Sequence, residues 1–105
     1  MLNEMSQIKK TSQLLKVLGN PHRLQIILLL LGGEKNVTQI NQTVRVSQPA
    51  LSQHLSRLRR EGVLASRRDQ RQIYYYVNNP QISRLIDVAA EIGQMPASTK
   101  KVASR

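Results

Sequence analysis

Gln48, Ser52 and Gln53 are uncharged hydrogen-bonding side chains within six residues, and six arginines, Arg57, Arg59, Arg60, Arg67, Arg68 and Arg71, crowd the fifteen residues from 57 to 71. A glutamine amide presents a donor beside an acceptor, which matches N6 and N7 of adenine, and a serine hydroxyl bonds to several base edges or to phosphate. Guanidinium groups suit phosphate oxygens and enter a narrow minor groove. The chemistry these residues offer is recognition of a polyanion with a readable edge. No nucleophile, base and orienting group occur together in a grouping that would support catalysis, so no enzyme is expected.

The charge balance agrees. Sixteen Lys and Arg stand against six Asp and Glu, a formal net charge of +10. Double-stranded DNA is the leading partner and an anionic membrane surface the second. No cysteine is present, which excludes disulfides, thiolate metal sites and thiol redox sensing. The longest apolar run, Ile26 to Leu31, is six residues, whereas a membrane span needs roughly 20. No membrane association and a cytoplasmic, nucleoid-associated location are therefore expected. A chain of 105 residues suits one core and one domain, assigned to residues 1–94, with 95–105 read as a flexible basic tail because periodicity ends there.

These side chains need elements to position them. Met5, Ile8, Leu15 and Leu18 recur at helical spacing over residues 4–18. Gly19-Asn20-Pro21 then reads as a stop, an N-cap and a first helical proline. The segment that follows is apolar on almost every side as far as Gly32-Gly33 and is expected at the centre of the core. Val37 to Val46 suits a helix of two turns beginning near Thr38. Ser47 is placed as the N-cap of a fourth helix, Gln48 to Arg60, with Pro49 in its first turn and Gly62 beyond its end. Leu51, Leu55 and Leu58 mark the buried stripe of that helix. At about 100° per residue, Gln48, Pro49, Ser52, Gln53 and Ser56 fall on one arc away from it.

From Val63 the period changes to two, predicting a hairpin, Val63–Arg68 and Arg71–Val77, turning at Asp69-Gln70, with Ile73, Tyr75 and Val77 on one face. After Asn78-Asn79-Pro80 a last helix carries Ile82, Leu85, Ile86, Val88, Ala89 and Ile92, an arc too wide for one contact. Of these, Ile82, Leu85, Ile86, Ala89 and Ile92, together with Met5, Ile8 and Leu15, predict a homodimer through the first and last helices. The fold class is mainly α with a small β-hairpin, a dimeric winged helix-turn-helix in the order α-α-α-α-β-β-α. Such a helix fits the major groove, about 12 Å wide.

The stretch Leu15-Lys-Val-Leu-Gly-Asn-Pro-His-Arg-Leu-Gln-Ile-Ile resembles the opening signature of the ArsR/SmtB family. Val46-Ser-Gln-Pro-Ala-Leu-Ser-Gln-His-Leu-Ser-Arg-Leu-Arg-Arg-Glu-Gly-Val-Leu resembles its recognition-helix signature, and the wing from Arg67 to Tyr75 resembles the NolR and HlyU subgroup. The resemblance spans about Leu14 to Ile86. It implies a symmetric dimer on an inverted-repeat operator, repressing by blocking polymerase, with Gln48, Ser52 and Gln53 reading bases. Arg45, Ser47, Ser56, Arg57, Arg60, Arg67, Arg68 and Arg71 are the candidates for backbone or wing contacts.

Many members of that family sense metals, and this chain departs from them. Val37-Thr-Gln-Ile-Asn-Gln holds no thiolate or imidazole, and the last helix has Asp87 and Glu91 without a histidine. Zinc favours tetrahedral N and S ligands, so neither a metal nor another cofactor is expected. A small-molecule effector, if there is one, is not written in the sequence.

Other residues carry bland readings. His54 lies at the edge of the leucine stripe, where packing or a backbone bond competes with base reading or a proton switch. His22 is read as a local structural residue. Alternation points Tyr75 at the core and leaves Tyr74 and Tyr76 open. The resemblance often places Gly where Arg45 stands, so either the turn differs here or Arg45 contacts phosphate. Two rival classes remain at this point: a nonspecific architectural DNA-binding protein, for which the uncharged arc has no role, and a protein-interaction winged helix, for which the arginines have none.

Overall fold

The computed structural model describes residues 3–94, so the expected tail at 95–105 lies outside the described residues. Helix α1 (Met5–Leu18) meets α2 (Pro21–Leu31) at a bend of 83°. The break is built as its residues require. Pro21 takes the first helical position, and the Asn20 side chain accepts hydrogen bonds from the backbone N–H groups of His22 and Arg23 at 3.0 and 3.1 Å.

A two-residue strand, β1 (Lys35–Asn36), precedes α3 (Val37–Thr43). Asn36 then caps α3 by a reciprocal pair: its side chain accepts from Gln39 N at 2.9 Å, and its own N–H donates to Gln39 Oε1 at 2.8 Å. Helix α4 (Gln48–Arg60) starts on Ser47, whose Oγ accepts from Ala50 N at 3.2 Å. Beyond it, Gly62 takes φ +78°, a left-handed conformation that favours glycine. Strands β2 (Leu64–Asp69) and β3 (Gln72–Val77) follow, and α5 (Gln81–Gln94) closes the described chain.

The sheet is antiparallel in the order β1-β3-β2. The sequence reading lacked β1, since two residues are too few for an alternating pattern to show. The wing turn also differs from expectation. Asp69 pairs with Gln72, so the loop is Gln70-Arg71 and not Asp69-Gln70, and Gln70 carries φ +57°. The register follows the buried side: Val77 opposite Leu64 and Tyr75 opposite Ser66 pack toward the core, whereas Ile73, nearer the tip, is exposed.

Val17, Ile26, Ile27, Ile40, Val44, Leu51, Leu55, Leu58 and Val63 form the centre of the core. Helix α2 is central, as expected, yet Leu28 and Leu31 on its far side are exposed. No buried side-chain polar atom among the described residues lacks a hydrogen-bond partner.

Candidate nucleic-acid interface

Leu51, Leu55 and Leu58 anchor α4 in the core, and this burial sets the direction of everything else on the helix. Ser52, Gln53 and Ser56 are exposed on its outer side, whereas Gln48, exposed in the first turn, stands three residues before Leu51 and seven before Leu55 and so borders the buried stripe, not the far side expected of it. Ser52, Gln53, Ser56, Arg57 and Arg60 line one open concavity, with Gln48 a turn earlier, nearer the N-terminus of the helix. A polar, uncharged strip thus runs into a guanidinium pair. That arrangement can meet base edges in a groove and phosphates along its wall.

The link between α3 and α4 is short. Val44 is fully buried, Val46 packs against the core, and Arg45 between them is exposed. Val46 N donates to Val44 O at 3.1 Å, a closure spanning three residues. Asn41 Nδ2 donates to Val44 O and to Val46 O, each at 3.0 Å. The turn does differ locally at Arg45, which takes no left-handed conformation: among the described non-glycine residues only Gln70 has positive φ. Sequence reasoning passed over Asn41, although an asparagine a few residues before a turn is a known source of side-chain bonds to backbone.

Arg23 is the second residue that pattern reasoning missed. Its Nε donates to Val17 O at 2.6 Å and its Nη2 reaches Lys16 O at 3.5 Å, so it closes the end of α1. Its Nη1 lies 3.4 Å from His54 Nδ1 on α4. The His54 ring also stands 5.9 Å from that of His22. Burial above all, then the charges of Arg23 and His22, holds the His54 pKa below its ordinary value. His54 is therefore a packed, half-buried side chain turned toward α2.

On the wing, Arg68 and Arg71 are exposed and belong to no ion pair among the described residues. Arg67 is different. Its Nε donates to Glu34 Oε1 at 2.8 Å, its Nη2 bonds the other carboxylate oxygen, and its Cζ sits 4.7 Å from the centre of the Tyr74 ring. The hydrogen bond from Arg67 holds the Glu34 carboxyl below the usual carboxylate range, and the same bond raises Arg67.

The proposed dimer residues divide. Ile82 and Ile86 are buried within the subunit and Leu85 packs at the margin of its core. Met5, Ile8 and Leu15 on α1 are exposed, as are Ala89 and Ile92 on α5, with Val88 beside them. Leu14, Ile82, Leu85 and Val88 line a groove between the two helices. No group of three or more His, Cys, Asp or Glu side chains among the described residues is placed to hold a metal ion.

Residues 20–66 match a family described as bacterial regulatory proteins of the arsR family. The transcriptional activator HlyU of Vibrio cholerae is 35% identical over 79 residues, covering 75% of this chain and 73% of HlyU. The transcriptional repressor PagR of Bacillus anthracis is 37% identical over 84 residues, covering 79% of this chain and 84% of PagR. Among solved structures, NolR from Sinorhizobium fredii superposes with a TM-score of 0.78 at 33% identity, covering 83% of this chain and 87% of NolR. A homodimeric winged helix-turn-helix DNA-binding domain from Mycobacterium bovis gives a TM-score of 0.76 at 25% identity, covering 89% and 90%.

Proposed function

The chain belongs to the arsR family of bacterial regulatory proteins, and from that premise we propose that it binds an inverted-repeat operator as a homodimer and represses transcription. The observation that carries this reading is the exposed, uncharged set Gln48, Ser52 and Gln53 on α4, a helix held in the core by its buried leucines. A protein that needed only charge would have no use for an uncharged arc. A protein that bound only other proteins would have no use for Arg57, Arg60, Arg68 and Arg71 around it.

Two subunits related by a two-fold axis present two α4 helices to successive major grooves, so the operator repeats with the symmetry of the protein. Exposed Met5, Ile8 and Leu15 with Val88, Ala89 and Ile92 supply the subunit contact. Ser47 and Arg45, at the entrance of α4, stand where phosphates flank the groove. Repression needs only that the dimer occupy a promoter, and no further contact surface is called for. No single helix among the described residues is long and apolar enough to cross a membrane.

The test compares binding to an operator selected from randomised duplexes with binding to random DNA. Gln48→Ala is expected to cost roughly 1–3 kcal/mol on the operator and little on random DNA. Equal losses on both would remove α4 as the reading helix.

A further inference from the structure

We infer that Asn41 is a positioning residue for DNA reading: by holding the Val44-Arg45-Val46 link from α3, it sets the angle at which α4 presents Gln48, Ser52 and Gln53. The inference rests on α4 being the reading helix.

A link of three or four residues between two crossing helices commonly contains a glycine, because one left-handed residue reverses the chain in little space. The link here has no glycine, and Arg45 does not have positive φ. The chain instead turns through the bond from Val46 N to Val44 O at 3.1 Å, a closure too local to fix the direction of a 13-residue helix. The two carbonyls flanking Arg45 need a further constraint, and one side chain supplies it. The single nitrogen Nδ2 of Asn41 carries two N–H groups and has two acceptors, Val44 O and Val46 O, each at 3.0 Å.

Asn41 is itself well placed to act as a rigid post. It sits in the second turn of α3, half-buried, next to the fully buried Ile40. The buried Val44 and the packed Val46 hold the two ends of the link, leaving Asn41 to fix the backbone between them. A small change in the direction of the chain at Val46 moves the far end of α4 by several ångströms, since a helix rises about 1.5 Å per residue. Base readout tolerates such a shift poorly, whereas phosphate contacts made by long arginine side chains adapt to it.

The arrangement also leaves Arg45 free to carry a side chain where a glycine would carry none. Arg45 is exposed at the entrance of α4, so the asparagine keeps a guanidinium group in a position that a left-handed turn would reserve for glycine.

The experiment measures the ratio of operator to random-DNA affinity, with the salt dependence of each, for the wild-type dimer, Asn41→Ala, Asn41→Asp and the double variant Asn41→Ala with Arg45→Gly. Folding and dimer mass are checked for each. Loss of two net hydrogen bonds that hold the reading geometry is expected to lower the ratio about tenfold in Asn41→Ala. Asn41→Asp, which turns a carboxylate toward two carbonyl oxygens, is expected to lower it at least as far. Random-DNA affinity and the salt slope should stay at the wild-type level in Asn41→Ala, a pattern that simple loss of stability does not produce. In the double variant the glycine admits a left-handed turn, and the ratio should recover while both affinities fall for want of Arg45. An unchanged ratio in a folded Asn41→Ala or Asn41→Asp dimer would overturn the positioning role, and a ratio that stays low in the double variant would overturn the link between Asn41 and Arg45. Lack of operator preference in the wild type is a different result and counts against the proposed function itself.

Discussion

Arg67 and Glu34 are joined as a fork, with Nε donating to Oε1 at 2.8 Å and Nη2 to Oε2, across 33 residues of chain. The pair ties the wing strand β2 to the segment before β1, and Tyr74 lies beneath the guanidinium at 4.7 Å. Three arginines of the wing thus have two different employments. Arg68 and Arg71 face solvent unpaired among the described residues, while Arg67 is already neutralised.

The salt dependence of DNA binding should register this division. Arg68→Ala is expected to reduce the magnitude of the log K against log salt slope by about 1 per contact, or about 2 for the dimer, on operator and random DNA alike. Arg67→Ala should change the slope much less, and Glu34→Gln, which frees Arg67, should steepen it. Equal slopes for the Arg67 and Arg68 variants would show that Glu34 releases its partner to DNA.

A charge placed on the exposed face of α5 should separate the subunits. Ile92 is 59% exposed, so Ile92→Glu disturbs little inside one subunit but is costly in an apolar contact between two. Light scattering should report the monomer mass with helical circular dichroism intact. Operator affinity should fall by 10²-fold or more as the second half-site ceases to be an intramolecular contact. A dimer of wild-type affinity would move the interface elsewhere.

Acid should weaken the packing of α4 on α2. The folded pKa of His54 lies below its ordinary 6.5 because of burial, Arg23 and His22, so the unfolded chain takes up the proton first. The stability contributed by neutral His54 is full above pH 6.5 and is lost as pH falls from there through the folded pKa. Arg57, which acts on Arg23, keeps the neighbourhood positive. Urea titrations of wild type and His54→Gln between pH 7.5 and 5 should show a steeper loss in the wild type, at fixed protomer concentration. Parallel loss would assign the acid sensitivity to other groups.

The wing turn stores a small, removable strain. Gln70 holds φ +57° without being glycine, which costs an ordinary residue roughly 1 kcal/mol. Gln70→Gly is expected to recover a fraction of that in chemical denaturation, the rest being offset by the greater freedom of unfolded glycine. A loss of stability would mean that the Gln70 side chain contributes contacts that outweigh its backbone strain.

Much of the α4 surface is legible in the sequence because its determinants are local. Ser47 caps α4 through an atom three residues away, Asn20 caps α2 over two and three residues, and Gly62 ends the helix by its own backbone freedom. The leucines at 51, 55 and 58 then settle which side of α4 faces out, since helical geometry allows one answer. The uncharged arc and its arginines follow from these few facts.

What the sequence could not decide depends on which distant groups meet. Glu34 and Arg67 are separated by 33 residues, and Arg23 and His54 by 31, so no local pattern marks either pair. The wing turn falls one residue later than expected, at Gln70-Arg71, which shifts the strand pairing by two residues and keeps Tyr75 and Val77 on the core side. Ile82 and Ile86 look like interface residues in a periodic arc, yet the assembled subunit buries them itself and leaves Val88, Ala89 and Ile92 outside. Periodicity determines that a face is apolar, because it depends on neighbours along one helix. Which apolar residues the subunit covers, and which arginines it neutralises, is decided by tertiary packing, because burial and ion pairing are properties of surfaces brought together from different parts of the chain.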